Sequence, residues 1–329
     1  MINHQKEIAE IINKHLENSP FKNLIKVSEE HIHYNDEEKN INWEISITGQ
    51  PFKYQIGFND KLADLLTKKL TKNRLYDYGT FYHFKNYDRA FQIIKDKEIQ
   101  LTALNSHITN DSAEYSEFIR RYSHDPVFDN DFIKTARENV FIFCFTKHFR
   151  NERFWNEYAK NNSGLCIGFK FEEIDENKTD LFSLVDVIYD DGYNFDFIND
   201  IQRELLHQFD KYLLIGGLNR FAKYYKRKRY SWESETRLIF DFNENNKLQK
   251  LLNSDSILGG GKMPKLDLTN YLQINQEGNR RFVKIKFNNS FFKLKVTELI
   301  MGSKVTSTQT DELTKLVDDD VHLWQIKSD

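Results

Sequence analysis

Apolar residues at Ile8, Ile11, Ile12 and Leu16 recur at helical spacing and predict an amphipathic helix over residues 5–16. The pattern then turns to alternation, clearest in Asn42–Thr48 (NWEISIT), with a further extended stretch at Phe52–Phe58. A helix over Asp60–Leu70 completes a small α+β amino-terminal module, residues 1–72, and the polar run Thr71–Arg74 marks its boundary. In the main domain, residues 73–329, Gly79–Phe84 reads as a strand and Asp88–Lys97 as a helix with Ala90, Phe91 and Ile94 inward. Glu98–Ala103 is extended and Ser112–Tyr122 helical. Val140–Thr146 (VFIFCFT) and Gly164–Phe171 (GLCIGFKF) have the length and β-propensity of buried strands, with a short helix, Glu152–Lys160, between them. Leu181–Tyr189 is a third strand, and Phe195–Lys226 the longest helical region, interrupted at Gly216-Gly217. Ser231–Phe242 is a strand with mixed faces, and residues 253–279 form a loop or hairpin insertion. Strands over Phe282–Leu294 and Val296–Met301 and a helix over Thr308–Leu316 close the chain. Strands clustered between irregularly placed helices argue for an α+β fold rather than alternating βαβ units.

Composition changes this picture in a few places. The 329 residues include 27 Phe and 16 Tyr, so large rings supply a substantial core although charged residues make up 29%. No apolar run reaches the roughly 18 residues of a membrane span, and the charged, periodic first residues do not read as a signal peptide. Two cysteines exclude a disulfide scaffold and fit a reducing cytoplasm. A net charge of −3 argues against chain-wide polycationic binding of nucleic acid, but not against a local basic patch.

Gly259–Lys262 is followed by Met263, so it is not a phosphate-binding loop, and no dinucleotide-binding glycine fingerprint follows a strand. His31 and His33 lack a fitting third ligand, so no metal is expected; Cys144 and Cys166 lie in apolar strands and read as core. Glu233 and Glu235 are different. On one strand they share a face two residues apart, where like charges repel and raise at least one pKa. An exposed edge strand with Arg237 as partner also accounts for them. His83, between Tyr82 and Phe84, reads either as a core histidine or as a site residue. Tyr158 and Trp155 read on their own as packing. Lys223–Arg229 (KYYKRKR) interleaves tyrosines with five cations, which suits phosphate contact and stacking as well as a solvated helix end.

Taken in order, Phe81-Tyr82-His83-Phe84, Leu101-Thr102, Asn110–Glu114, Cys144-Phe145-Thr146, Trp155…Tyr158-Ala159, Gly164–Phe169, Trp232–Arg237 and Leu299–Gly302 resemble the bacterial domain-of-unknown-function family 2971 across about residues 75–320. That arrangement in turn resembles the ADP-ribosyltransferase superfamily in its histidine–tyrosine–glutamate form. The resemblance implies a split β-sandwich of two small sheets with flanking helices, acting on NAD. His83, with Tyr82 beside it, would orient the cofactor. Thr146 would end the strand before the helix whose Tyr158, or Trp155 in its place, stacks on nicotinamide. Glu235 would bond the nicotinamide ribose and Glu233 would activate the acceptor. Asn110, Asp111, Arg153, Lys226 and Arg237 stand as possible substrate or phosphate contacts. The resemblance further implies a cytoplasmic toxin or phage-defence effector transferring ADP-ribose to a protein, a nucleic acid or water. A non-catalytic nucleotide-binding module on the same fold is the alternative; a nuclease or phosphotransferase lacks a metal-ligand cluster to support it.

Overall fold

The computed structural model describes residues 4–19, 22, 25–29, 32–35, 40–47, 53–56, 71–77, 79–104, 114–122, 130–176, 181–189, 195–213, 221–242, 273–277 and 280–327. Along the chain run α1 (Gln5–Leu16), β1 (Ile25–Lys26), β2 (Ile32–Asn35), β3 (Asn40–Ile47) and β4 (Lys53–Ile56). There follow β5 (Phe81–Asn86), α2 (Tyr87–Asp96), β6 (Glu98–Ala103), α3 (Glu114–Tyr122), α4 (Asn130–Glu138) and β7 (Val140–Thr146). Next come α5 (Glu152–Glu157), β8 (Gly164–Glu172), β9 (Ser183–Asp186), β10 (Ile188–Tyr189), α6 (Asp196–Phe209), β11 (Tyr212–Leu213) and β12 (Tyr225–Lys226). A 3₁₀ helix (Lys228–Glu233) leads into β13 (Glu235–Asp241), β14 (Gln273–Glu277), β15 (Arg280–Lys286), β16 (Lys293–Met301), α7 (Ser307–Thr314) and β17 (His322–Gln325). No helix among the described residues is long and apolar enough to cross a membrane.

The chain forms two compact units. The first joins residues Met1–Lys72 to Asp111–Thr135 and Ile188–Arg229, so the amino-terminal segment shares its unit with two later segments that the sequence places in the main domain. The pairing explains why: β3 binds β1, β2 and β4 antiparallel and takes β11 as a parallel neighbour. Helix α1 buries the predicted stripe, Ile8, Ile11, Ile12 and Leu16. Its Lys14 and His15 reach Glu204 of α6 at 3.0 and 2.7 Å and hold that carboxyl below its usual range, His15 contributing most. The expected long helix stops at Phe209, where Asp210 turns left-handed at φ 53°, and the chain continues as β11 and later β12. The predicted helix over Asp60–Leu70, Gly216-Gly217 and the triple glycine lie outside the described residues.

The second unit, Asn73–Asn110, Ala136–Val187 and Tyr230–Asp329, is built on a ten-stranded, mostly antiparallel sheet. The predicted third strand, Leu181–Tyr189, is divided: β9 joins this sheet, whereas β10 pairs with β12 in the first unit. A short final strand, β17, runs parallel to β16 after the last helix.

Strand β7 organises this sheet. One of its edges pairs with β13 along its whole length, Glu235 opposite Thr146 to Asp241 opposite Val140. The other edge pairs with β6 at Phe141 and Ile142 and with β5 only at Thr146. The sheet therefore forks at residues 143–145. On one side lie β9, β13, β7, β6, β15 and β14; on the other lie β5, β8, β16 and β17. Alternation gives the sheet two unlike faces. Phe81, Phe143, Phe145, Ile167, Phe169, Leu238 and Phe240 belong to the main core. Tyr82, Phe84, Cys166 and Ile300 belong to a second cluster, covered by Phe154 and Trp155 of α5.

Candidate functional site

The paired carboxylates are not placed by strand alternation. Glu233 ends the 3₁₀ helix, Ser234 turns into the left-handed region at φ 42°, and Glu235 begins β13. The expectation of one strand carrying both is therefore corrected: a left-handed turn stands between them, at the cost of strain in a non-glycine residue. Both are buried, at 3% and 4% exposure. Burying two carboxylates requires a partner for each. Tyr158 Oη donates to Glu233 Oε1 at 2.8 Å, and Arg237 Nε donates to Glu235 Oε1 at 2.6 Å. Arg237 is 2% exposed, so the Glu235–Arg237 pair is a fully buried ion pair and not a surface one.

The register of the forked sheet extends this site. Glu235 stands opposite Thr146, and Thr146 opposite Tyr82; Tyr82 stands opposite Gly168, and Gly168 opposite Glu298. Residues directly opposite one another in antiparallel strands share a face. One row across five strands thus carries two carboxylates, a threonine and a tyrosine, with a glycine between the tyrosine and the second acid. Tyr82 Oη donates to Glu298 Oε1 at 2.7 Å. Burial, and then this bond to a carboxylate, raise the Tyr82 pKa well above that of a free phenol, so the proton stays on the tyrosine. Thr146 Oγ1 accepts the His148 backbone N–H at 3.2 Å.

His83 faces the other way. Its ring stacks on Phe143, centroids 4.0 Å apart, and meets Phe145 edge-on, both on the main-core side. Nδ1–H donates to the Cys144 carbonyl at 2.7 Å, in the stretch where β7 has neither β5 nor β6 beside it. The imidazole thus supplies a hydrogen bond that the fork removes from the ladder. Burial lowers its pKa to about 3, with the charge of Lys85 adding to the effect, so the ring is neutral. Nε2 is buried and has no hydrogen-bond partner among the described residues.

The remaining predicted residues separate. Trp155 is buried against Phe84, and its indole N–H donates to the Phe149 carbonyl at 2.9 Å, which makes it a brace of the second cluster. Tyr158 packs on Phe154 and lies 6.4 Å from the Trp232 ring. Arg153 covers Trp232 at 4.1 Å and bonds Glu157 at 2.6 Å. Lys226 lies in β12 of the first unit, whereas the carboxylates belong to the second. Its run is not a solvated helix end. Lys223, Tyr224, Tyr225 and Lys226 are buried, and Tyr225 packs on Phe118 at 5.0 Å, so the tyrosines serve the core. Asn110, Asp111 and His31 lie outside the described residues, among which no cluster of metal-ligating side chains occurs. Glu298 escaped the sequence reading. Gly168 inside a buried strand was its one signal, because a strand glycine often marks a close approach.

A model of the family described as "Protein of unknown function (DUF2971)" matches residues 154–238, from α5 through the first strand residues after the paired carboxylates. The match thus holds Tyr158, Glu233, Glu235 and Arg237 but not His83, Thr146 or Glu298. Neither the curated proteins nor the solved structures give a match to the chain.

Proposed function

We propose that the chain is an ADP-ribosyltransferase-like enzyme that takes NAD as substrate. The observation that carries this reading is the registered row Glu235–Thr146–Tyr82 at a fork between two groups of strands, with the Glu233–Tyr158 pair beside it. A split of this kind fits the two-sheet sandwich of that superfamily. The residues of that face also suit a dinucleotide: Tyr158 offers a half-buried ring and Glu233 and Glu235 are buried carboxylates, while His83, expected to orient the cofactor, lies on the opposite face among the core phenylalanines and takes no part.

In the proposed reaction the bond from ribose carbon to nicotinamide nitrogen breaks, and its electron pair leaves with nicotinamide. The ribose becomes cationic, as in glycoside hydrolysis. Glu235, fixed by Arg237, stabilises that charge more than the ground state. An acceptor oxygen or nitrogen, or water, forms the new bond to the ribose carbon and gives its proton to Glu233. A protein, a nucleic acid or water is the acceptor, and a toxin or phage-defence role belongs to the same reading.

Nicotinamide release from labelled NAD tests this. Glu235→Gln is expected to slow release about 10²–10³-fold with little change in NAD affinity. Release at the wild-type rate from that variant overturns the assignment. The buried Arg237–Glu235 pair favours one second reading, a nucleotide-binding module whose acid is neutralised; NAD binding without any nicotinamide release selects it.

A further inference from the structure

The acid on the far side of the row is turned there by a single irregularity. Up to Val296, the even-numbered residues of β16 face the main core: Leu294 lies in it and Val296 packs against it. The register then shifts between Val296 and Glu298, with Thr297 as the extra residue. Beyond the shift the odd-numbered Leu299 and Met301 face the main core, and Ile300 joins the second cluster. Without the bulge Glu298 would point into phenylalanines; with it, the carboxylate faces Tyr82. Bulges of this kind re-aim side chains beside active sites.

Gly168 completes the arrangement. A Cβ there would lie 2.5 Å from Glu298 Cγ and 2.9 Å from Thr80 Cγ2, so only glycine lets the acid cross β8. Both carboxylate oxygens are then engaged: Oε1 accepts from Tyr82 at 2.7 Å, and Oε2 from Trp324 Nε1 at 3.3 Å. Tyr158 and Glu233 repeat the same arrangement, a phenol O–H donating a hydrogen bond to a carboxylate oxygen.

We propose that Glu298 is a positioning residue of this site, acting through Tyr82. By accepting the phenol hydrogen bond it leaves the Tyr82 oxygen only its lone pairs to offer, so the group read at this point is a hydrogen-bond donor such as a ribose hydroxyl. The identity of that ligand rests on the NAD reading above; the coupling of the two side chains does not.

A double-mutant cycle with Tyr82→Phe and Glu298→Gln tests it, read by NAD affinity in calorimetry, by KM and kcat, and by urea unfolding. Glu298→Gln is expected to weaken NAD binding about tenfold with kcat changed less than about twofold. In the Tyr82→Phe background it is expected to weaken binding no further. Equal losses from Glu298→Gln in both backgrounds overturn the proposal. Coupling in unfolding without coupling in NAD affinity also overturns it and makes the pair purely structural. If the wild-type protein binds no NAD, the proposed function fails and the ligand role of Glu298 with it, while the unfolding cycle still decides whether the two side chains are coupled.

Discussion

The two faces of the forked sheet come from the same strands and have opposite characters. The main-core face is nearly all phenylalanine and aliphatic: Phe81, Phe143, Phe145, Phe169 and Phe171 meet one another at 5.0–6.4 Å in tilted and edge contacts. The second face also buries rings, but it interleaves them with Tyr82, Thr146, Glu235 and Arg237, and Glu298 reaches in from β16. Packing alone explains the first face, since rings bury large areas without needing partners. It does not explain the second, where each acid needs a dedicated donor and the chain uses a left-handed Ser234, a bulge at Thr297 and a glycine at 168 to supply the geometry. Strained backbone and buried acids concentrate at functional sites, which is why the proposed function is placed on this face.

Substitutions on the two faces are expected to separate stability from activity. The largest effect on folding comes from the first face. Phe169→Ala removes a ring enclosed by Phe143, Phe145 and Phe287 and is expected to cost about 3–5 kcal/mol of unfolding free energy, read by urea denaturation. A loss below about 1 kcal/mol would mean that this face is not the close-packed one. His83, which bridges the fork, sharpens the contrast through pH. Its folded pKa of about 3 lies below the ordinary value, so the unfolded chain takes up the proton first. The stability linked to it is full above about pH 6.5 and falls toward pH 3 at up to about 1.4 kcal/mol per pH unit. His83→Gln, measured by unfolding at stepped pH, is expected to lack that slope. Parallel profiles for the two proteins would show that the imidazole is not held neutral by burial.

Much of the first face was legible in the sequence, because VFIFCFT and GLCIGFKF are apolar over the length of a strand whichever way they face. The helix stripe of α1 was legible for the same reason of periodicity. The second face was only partly so. Tyr82, Thr146 and Glu235 stand out as polar interruptions of apolar strands, but the register that aligns them depends on pairings between distant segments. Alternation put Glu233 and Glu235 on one strand, and the turn at Ser234 that breaks the alternation has no signature in serine. Glu298 was hidden because a one-residue bulge reverses which residues face inward. The segment 195–226 misled through helical periodicity broken only at Gly216-Gly217; its earlier end at Phe209 and return to short strands come from pairing with β3 and β10, which local pattern does not encode.

The proposed function puts the nicotinamide riboside end of NAD on the polar row of the forked sheet. A crystal structure of the full chain with NAD bound decides this. The ribose is expected within hydrogen-bonding distance of Glu235, with the nicotinamide ring against Tyr158 and a ligand hydroxyl on the Tyr82 oxygen. NAD bound elsewhere, with Glu235 touching only Arg237, would contradict it.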